Sequence, residues 1–388
     1  MIAFPGIRSN AAKFEMPVNT PMRGLVLLIL IIIPTLSPAN DKEKAASWIA
    51  KAAELSNLKG HGSKPFRLRL QWKSGYGTVI ATGAYQLFWT SPEQWREELR
   101  IGDNVAIRVA TGGKVWVERG DDFLSYPAYQ LENMLAILWG LGSDDPGQVK
   151  QLFTQSIEGA NSQCVKFERK DSWINQMCFG ANGTLLAMSK AVSTNAMMDA
   201  ERTGVIAGGT LKLGGPGLSA SNTYNFMQYA QSGDKLFPRH MLVLSQKVPT
   251  VEVFVEDIQY TKPPDSVHES PVPDGASLTA VCTVDAAELG RRATLASIPS
   301  QFEAKLSRFI HFGGAARLYG IVGTDGNVRN ETLISSESGL SGQSKDFGDI
   351  AAQIAQTMKY KPFMCAGAPQ VFGTEEEIIL RGTHAGPY

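Results

Sequence analysis

The sequence predicts an α+β protein, with one large curved antiparallel sheet followed by a small C-terminal β-β-α-β unit. Three observations lead there. Strand-like runs with period-two alternation dominate residues 66 to 260, and helical patterning is confined to short stretches among them. A Pro-rich segment, Lys262 to Gly275, separates this region from the rest. After it, Leu318 to Leu380 reads strand, tight turn, strand, amphipathic helix, strand.

The elements follow in order. Asp41 to Asn57 reads as a helix with Trp48, Ala52 and Leu55 on one face. Phe66 to Trp72 alternates strictly, as a half-buried strand does. Further strands are expected at 78–89, 94–101, 105–110 and 115–119, separated by Gly or charged turns. Leu131, Met134, Leu135 and Leu138 share one face of a second helix, and Val149, Leu152 and Phe153 suggest a third. Strands resume at 164–169, 174–179, 185–190, 224–229, 240–246 and 251–260. The glycine-rich run 204–218 lacks the Gly-Lys-Ser/Thr of a phosphate loop and reads as a loop or hairpin tip.

The first residues carry a targeting pattern. Arg23 precedes an apolar run from Gly24 to Leu36, and Ser37-Pro38-Ala39 supplies small residues for cleavage. The run contains Pro34 and is shorter than the ~20 residues of a spanning helix. Residues 1–39 therefore read as a secretory signal, with a start near Met22, and the alternative is an inner-membrane anchor. The organisation expected is signal 1–39, sheet domain 40–261, linker 262–298 and C-terminal domain 299–388. Export places the protein in the periplasm or envelope, with membrane contact only through the signal segment.

Lys plus Arg equals Asp plus Glu at 37 each, so the formal charge is zero, and no basic stripe marks a nucleic-acid binder. The four cysteines, Cys164, Cys178, Cys282 and Cys365, are expected to form disulfides in an exported chain. Cys164–Cys178 with Cys282–Cys365 is one of three possible pairings. It is favoured because each bond then stays local to one unit. No histidine pair has metal-ligand spacing, and no Cys-x-x-Cys, His-Glu-x-x-His or Gly-x-Ser-x-Gly occurs. No catalytic residue, metal or cofactor is expected.

Two resemblances add to this reading. Asp325-Gly326-Asn327, Ser335-Ser336, Tyr360-Lys361-Pro362 and Gly367-Ala368-Pro369 follow one another as in the C-terminal domain of the TonB family. The family's opening Tyr-Pro is replaced here by Ile298-Pro299. The resemblance implies a periplasmic docking module that meets an envelope protein partner through a sheet edge. Tyr360, Lys361, Pro362, Glu375 and Glu377 are the docking candidates, and Glu375-Glu376-Glu377 reads as a charged strand edge. The leading helix, Gly83-Ala84-Tyr85, Phe88-Trp89-Thr90-Ser91-Pro92 and Leu236-Phe237-Pro238-Arg239 resemble the LolA/LolB-like half-barrel of periplasmic lipoprotein carriers. That resemblance implies an apolar cleft for a lipid or acyl ligand, with Trp72, Trp89, Trp95 and Trp116 as candidate contacts. An adaptor for outer-membrane transport is the leading expectation. A lipid or lipoprotein carrier is the alternative, and an anchored energy transducer the further one.

Overall fold

The computed structural model describes residues 38–381, apart from 61, 77–78, 143–146, 169–173, 192–201, 207–208, 214–220, 246, 262–271, 280–292, 295–299, 310 and 366. The signal segment, Cys282 and most of the Pro-rich stretch lie outside them. Helix α1 (Pro38–Ser56) leads into β1 (Phe66–Tyr76), β2 (Val79–Ser91), β3 (Gln94–Ile101), β4 (Asn104–Thr111) and β5 (Lys114–Glu118). A 3-10 turn (Gly120–Leu124) and α2 (Tyr126–Gly140) follow. Next come β6 (Val149–Ile157), β7 (Ala160–Phe167), β8 (Ile174–Phe179), β9 (Leu185–Ala191), β10 (Arg202–Ile206), β11 (Gly209–Leu213), β12 (Ser221–Ser232), β13 (Lys235–Ser245) and β14 (Val248–Tyr260). Short strands β15 (Ser277–Thr279) and β16 (Ala293–Thr294) precede α3 (Ser300–Leu306). The chain ends with β17 (Gly314–Val322), β18 (Val328–Ser338), α4 (Ser344–Ala355), β19 (Lys359–Tyr360), β20 (Phe363–Cys365), β21 (Ala368–Gln370) and β22 (Phe372–Arg381).

Thirteen of the described strands form one open, curved antiparallel sheet, ordered β15-β5-β4-β3-β2-β1-β14-β13-β12-β9-β8-β7-β6. Two meanders meet where β1 pairs with β14. Period-two alternation decides which face is buried. On β1, Phe66, Leu68, Leu70 and Trp72 point inward and are at most 2% exposed. Between them, Arg67 and Arg69 point outward to Asp257 of β14. Each fully buried Leu or Phe contributes about 1.5–3 kcal/mol.

Helix α2 covers the inner face and is itself almost surrounded. Leu131, Met134, Leu135 and Leu138, the expected stripe, are buried, and so are Ala128, Gln130 and Ile137. Pro127 in its first turn fits a helix start, where a missing N–H leaves no bond unmade. On α1 the buried stripe is Ala45, Ile49 and Ala52. Trp48 is only half-buried, and its ring lies 6.1 Å from that of Phe179.

The third helix expected from Val149, Leu152 and Phe153 is instead strand β6. Leu152 packs against the main core, while its neighbour Phe153 packs against Cys164 and Cys178 in a separate cluster. Consecutive apolar residues that serve opposite faces mimic helical spacing, and pairing with β7 decides the outcome.

Gly83 shows what the register demands. It sits opposite Trp72, and a Cβ there would overlap the Trp72 indole and the Arg100 carbonyl. Gly83→Ala is expected to destabilise the protein by about 1–3 kcal/mol through overpacking. Chemical denaturation measures it, and an unchanged midpoint would mean that the indole is free to move aside.

The second sheet has the order β10-β11-β22-β17-β18. Strands β17, β18 and β22 with α4 form the expected C-terminal unit, and the Asp325-Gly326-Asn327 turn joins β17 to β18. Gly326 has φ +79°, and its carbonyl accepts a hydrogen bond from the Tyr360 N–H at 2.8 Å. Two motifs that are distant in sequence thus brace each other inside this lobe. The other two strands come from elsewhere. The glycine-rich run forms the β10–β11 hairpin, and β11 pairs with β22 from Thr210↔Arg381 to Leu213↔Ile378. The segment read as a linker supplies β15 to the edge of the large sheet and β16 to β19.

Candidate functional site

The two faces of the C-terminal sheet divide by parity. Ala316, Leu318, Ile378 and Leu380 join Phe302, Phe309, Phe347 and Ile354 in the lobe's own core. Tyr319, Ile321 and Ile334 instead join the core of the large sheet. Tyr319 lies 5.4 Å from the ring of Tyr126 and 5.2 Å from that of Tyr129, both on α2. The lobe is therefore seated on the inner face of the large sheet.

A buried polar seam runs through that contact. Arg317 and Glu375 are 1% and 3% exposed, and Arg317 Nη2 donates to Glu375 Oε2 at 2.7 Å. Nη2 also donates to Asn222 Oδ1 at 2.9 Å, and Nη1 donates to Ser245 Oγ. Glu375 accepts from Asn222 Nδ2 at 3.1 Å and from Gln130 Nε2. Tyr224 Oη donates to Gln130 Oε1 at 3.1 Å. Burial raises the Tyr224 hydroxyl well above its ordinary range, and the Glu375 charge adds to this. The partners come from β12, β13, β17, β22 and α2, so the seam fixes the lobe's register on the sheet.

A cleft of about 560 Å³ opens between strands β3–β5 of the large sheet and the 363–371 segment of the lobe. Its apolar side includes Trp95, Val115, Val117, Phe123, Leu124 and Val371, and its polar side includes Lys59, Glu97, Arg108, Asp121 and Gln370. Glu97 and Arg108 are direct partners on β3 and β4, so both point to the inner face. Arg108 Nε donates to Glu97 Oε2 at 2.8 Å, and Nη2 donates to Glu132 Oε1 of α2 at 2.6 Å. The guanidinium also lies 5.0 Å from the Phe123 ring and 5.7 Å from that of Trp95. Burial works to raise the Glu97 carboxyl, but Arg108, Lys59 and a hydrogen bond from Tyr85 outweigh it and hold the carboxyl below its ordinary range. Burial raises Glu132.

Lys59 is placed by the turn after α1. Asn57 Oδ1 accepts from the Lys59 N–H at 2.9 Å, and Asn57 Nδ2 donates to the Trp139 carbonyl at 2.9 Å. This clamp ties the end of α1 to the end of α2 and sets Lys59 Nζ 3.5 Å from the Trp139 ring centroid. Burial lowers the ammonium to about 8, against the opposing pull of Glu97.

A second cleft of about 560 Å³ lies between β1, the start of α2 and β18, with Ser74, Tyr126, Thr250, Ile321 and Thr332 in its lining.

The sequence-named residues separate. Trp95 lines the first cleft. Trp72 and Trp89 are core residues, and Trp89 stacks on Phe66 at 5.4 Å. Trp116 alternates with the cleft-lining Val115 and Val117, which turns it to the other face. Tyr360 is buried, Lys361 exposed and Pro362 half-buried. Glu375 and Glu377 are not solvent-facing edge charges, because both side chains are buried, although β11 pairs with β22 only from Ile378 to Arg381. The Cys164–Cys178 bond is present. Cys365 is disulfide-bonded, and Cys282 lies outside the described residues. Among the described residues, no group of His, Cys, Asp and Glu could hold a metal ion. No described helix is long and apolar enough to cross a membrane.

Lys59, Glu97 and Arg108 were missed from sequence. The signal for Glu97 was there: Trp95, Glu97, Leu99 and Ile101 share one strand face, so a carboxylate stands in an apolar row.

No protein-family model matches the sequence. No curated protein matches it. Among solved structures, a LolA superfamily protein from Nitrosomonas europaea is similar, at 10% identity and a TM-score of 0.36 over 58% of this chain and 96% of its own. A DUF1329 family protein from Desulfovibrio piger is similar at 7% identity and a TM-score of 0.35, over 60% of this chain and 97% of its own. The MucA/MucB complex of Pseudomonas aeruginosa includes a chain similar at 12% identity and a TM-score of 0.21, over 56% of this chain and 99% of its own.

Proposed function

We propose that this is an exported envelope protein that shelters an amphipathic, lipid-like ligand between its large sheet and its C-terminal lobe. The observation that carries this reading is the cleft beside Trp95. Its volume of about 560 Å³ falls inside the ~300–1,000 Å³ of small-molecule sites, and its lining is divided between apolar side chains and polar or charged ones, as an amphipathic ligand requires. The secretory pattern of residues 1–39, the Cys164–Cys178 bond and the sequence resemblance to lipoprotein carriers support the same compartment and ligand class. In this reading the lobe is a fixed wall of the site, and the chain is assigned no reaction.

The test is to produce the full-length protein in a diderm bacterium, extract it with organic solvent and identify bound molecules by mass spectrometry. Acyl species are expected to accompany the wild type and to fall about tenfold in Val117→Trp, which fills the cleft. A folded wild type that carries none, and takes up none when offered, would end the reading.

A docking adaptor is the second reading. It is favoured by β18, which ends the five-stranded sheet and leaves one strand edge unpaired there among the described residues. Partner pairing along the C-terminal half of β22 would first have to displace β11.

A further inference from the structure

We infer that the cleft selects an amphiphile whose headgroup is an anionic oxygen group, a phosphate monoester or a carboxylate, held by the Lys59 ammonium. This rests on the lipid-like ligand proposed above and names the part of it that the polar wall would recognise.

The argument starts from hydrogen-bonding capacity. A lysine ammonium carries three donors and no acceptor. Among the described residues, no side-chain or backbone oxygen accepts from Lys59 Nζ, and no carboxylate lies within ion-pair distance of it. Its close neighbour is the Trp139 ring, 3.5 Å from Nζ to centroid, which stabilises a cation and leaves its donors unused.

Two of the nearby carboxylates, Glu97 and Glu132, are already engaged, and Asp121 also lines the cleft. Arg108 binds Glu97 through two nitrogens and Glu132 through one. That triad holds Arg108 in place and occupies three of its five N–H donors, whereas none of the three Lys59 donors meets a described oxygen, so Lys59 is the freer cation. Lys59 is half-buried, so its charge stands in a partly desolvated wall where an incoming anion is attracted more strongly than in water.

The neighbouring surface says what the anion is attached to. Trp95, Val115, Val117 and Leu124 continue the same cleft as an apolar wall. Leu278, at its margin on β15, is 56% exposed. A headgroup at Lys59 thus extends its tail along the ends of β3, β4 and β5. A free phosphate ion would use the ammonium and leave this wall wet.

The test measures calorimetric affinities of the full-length protein for dodecyl phosphate, monolauroylglycerol, dodecyltrimethylammonium and inorganic phosphate, each below its micelle concentration. Dodecyl phosphate is expected to bind at least about tenfold more tightly than monolauroylglycerol, as a charge-assisted hydrogen bond provides. The cationic amphiphile should bind most weakly of the three. Lys59→Met should remove the preference by weakening dodecyl phosphate at least about tenfold relative to monolauroylglycerol, and Lys59→Arg should retain it. Equal affinity for dodecyl phosphate and monolauroylglycerol in the wild type would overturn the headgroup assignment and leave the lipid-like ligand standing. So would a preference that survives in Lys59→Met. Inorganic phosphate binding as tightly as dodecyl phosphate would overturn the tail. Failure of every amphiphile to bind would remove the carrier reading and this one with it.

Discussion

Arg317→Ala is expected to lower the unfolding free energy by about 3–5 kcal/mol, the largest effect of any single change considered. Arg317 is 1% exposed, and removing it strands the Glu375 carboxylate in the core. It also leaves Asn222 Oδ1 and Ser245 Oγ without the donor that reaches them. A lost bond at a wet surface would cost far less, because water would replace it. The pair is not thereby shown to be a net stabiliser. Taking both charges out of water is itself costly, so Arg317→Met combined with Glu375→Leu should recover much of the loss. Equilibrium denaturation of the three variants gives the comparison. A loss under about 1 kcal/mol for Arg317→Ala would mean that water reaches the seam, and the close fit of lobe to sheet would then be wrong.

Replacing Cys164 and Cys178 together by serine is expected to cost about 3 kcal/mol. The bond closes a loop of sequence separation 14, and loop-closure entropy alone gives that order. The two residues are direct partners in the β7–β8 register and are both fully buried. The serine pair would in addition bury hydroxyls beside Phe153, Ile157 and Ala187, where the cluster is apolar. Thermal melts of the double variant, and of wild type with and without reductant, measure the loss. An unchanged midpoint on reduction would show that the β7–β8 pairing is held by its ladder alone.

How far the sequence reveals this depends on the range of the cause. Alternation along β1 and the stripe on α2 are local, and they place Phe66, Leu68, Leu131 and Leu138 in the core without any knowledge of the partner. The Cys164 hairpin is equally local. Failures come where one pattern has two causes. Leu152 and Phe153 look like a helical face because two separate clusters lie on opposite sides of β6. Glu375 looks like an edge charge because a carboxylate usually means solvent. Its partner Arg317 lies 58 residues away, and its other neighbours, Asn222 and Gln130, come from outside the lobe. Trp95 and Trp116 are indistinguishable by composition, and only the strand parity set by Val115 and Val117 separates them. Lys59 depends on where the chain turns after α1, a geometry set by Asn57 and the end of α2.

The pairing of β11 with β22 bears on the order in which the molecule can be assembled. A ribosome makes Gly209–Leu213 long before Phe372–Arg381. The large sheet can therefore close while the hairpin still presents a bare row of backbone amides and carbonyls, the kind of template that recruits stray strands. Contacts spanning so much chain are slow to form, because a long loop must be ordered first. The strand that covers this edge, β22, is made long after the hairpin. A chain halted before residue 372 leaves the hairpin without its neighbour, and a fragment begun after residue 220 lacks the outermost two strands of its own sheet. This lobe is thus one unit in space and two in sequence, and it stays incomplete until residues 378–381 are made and can pair with β11.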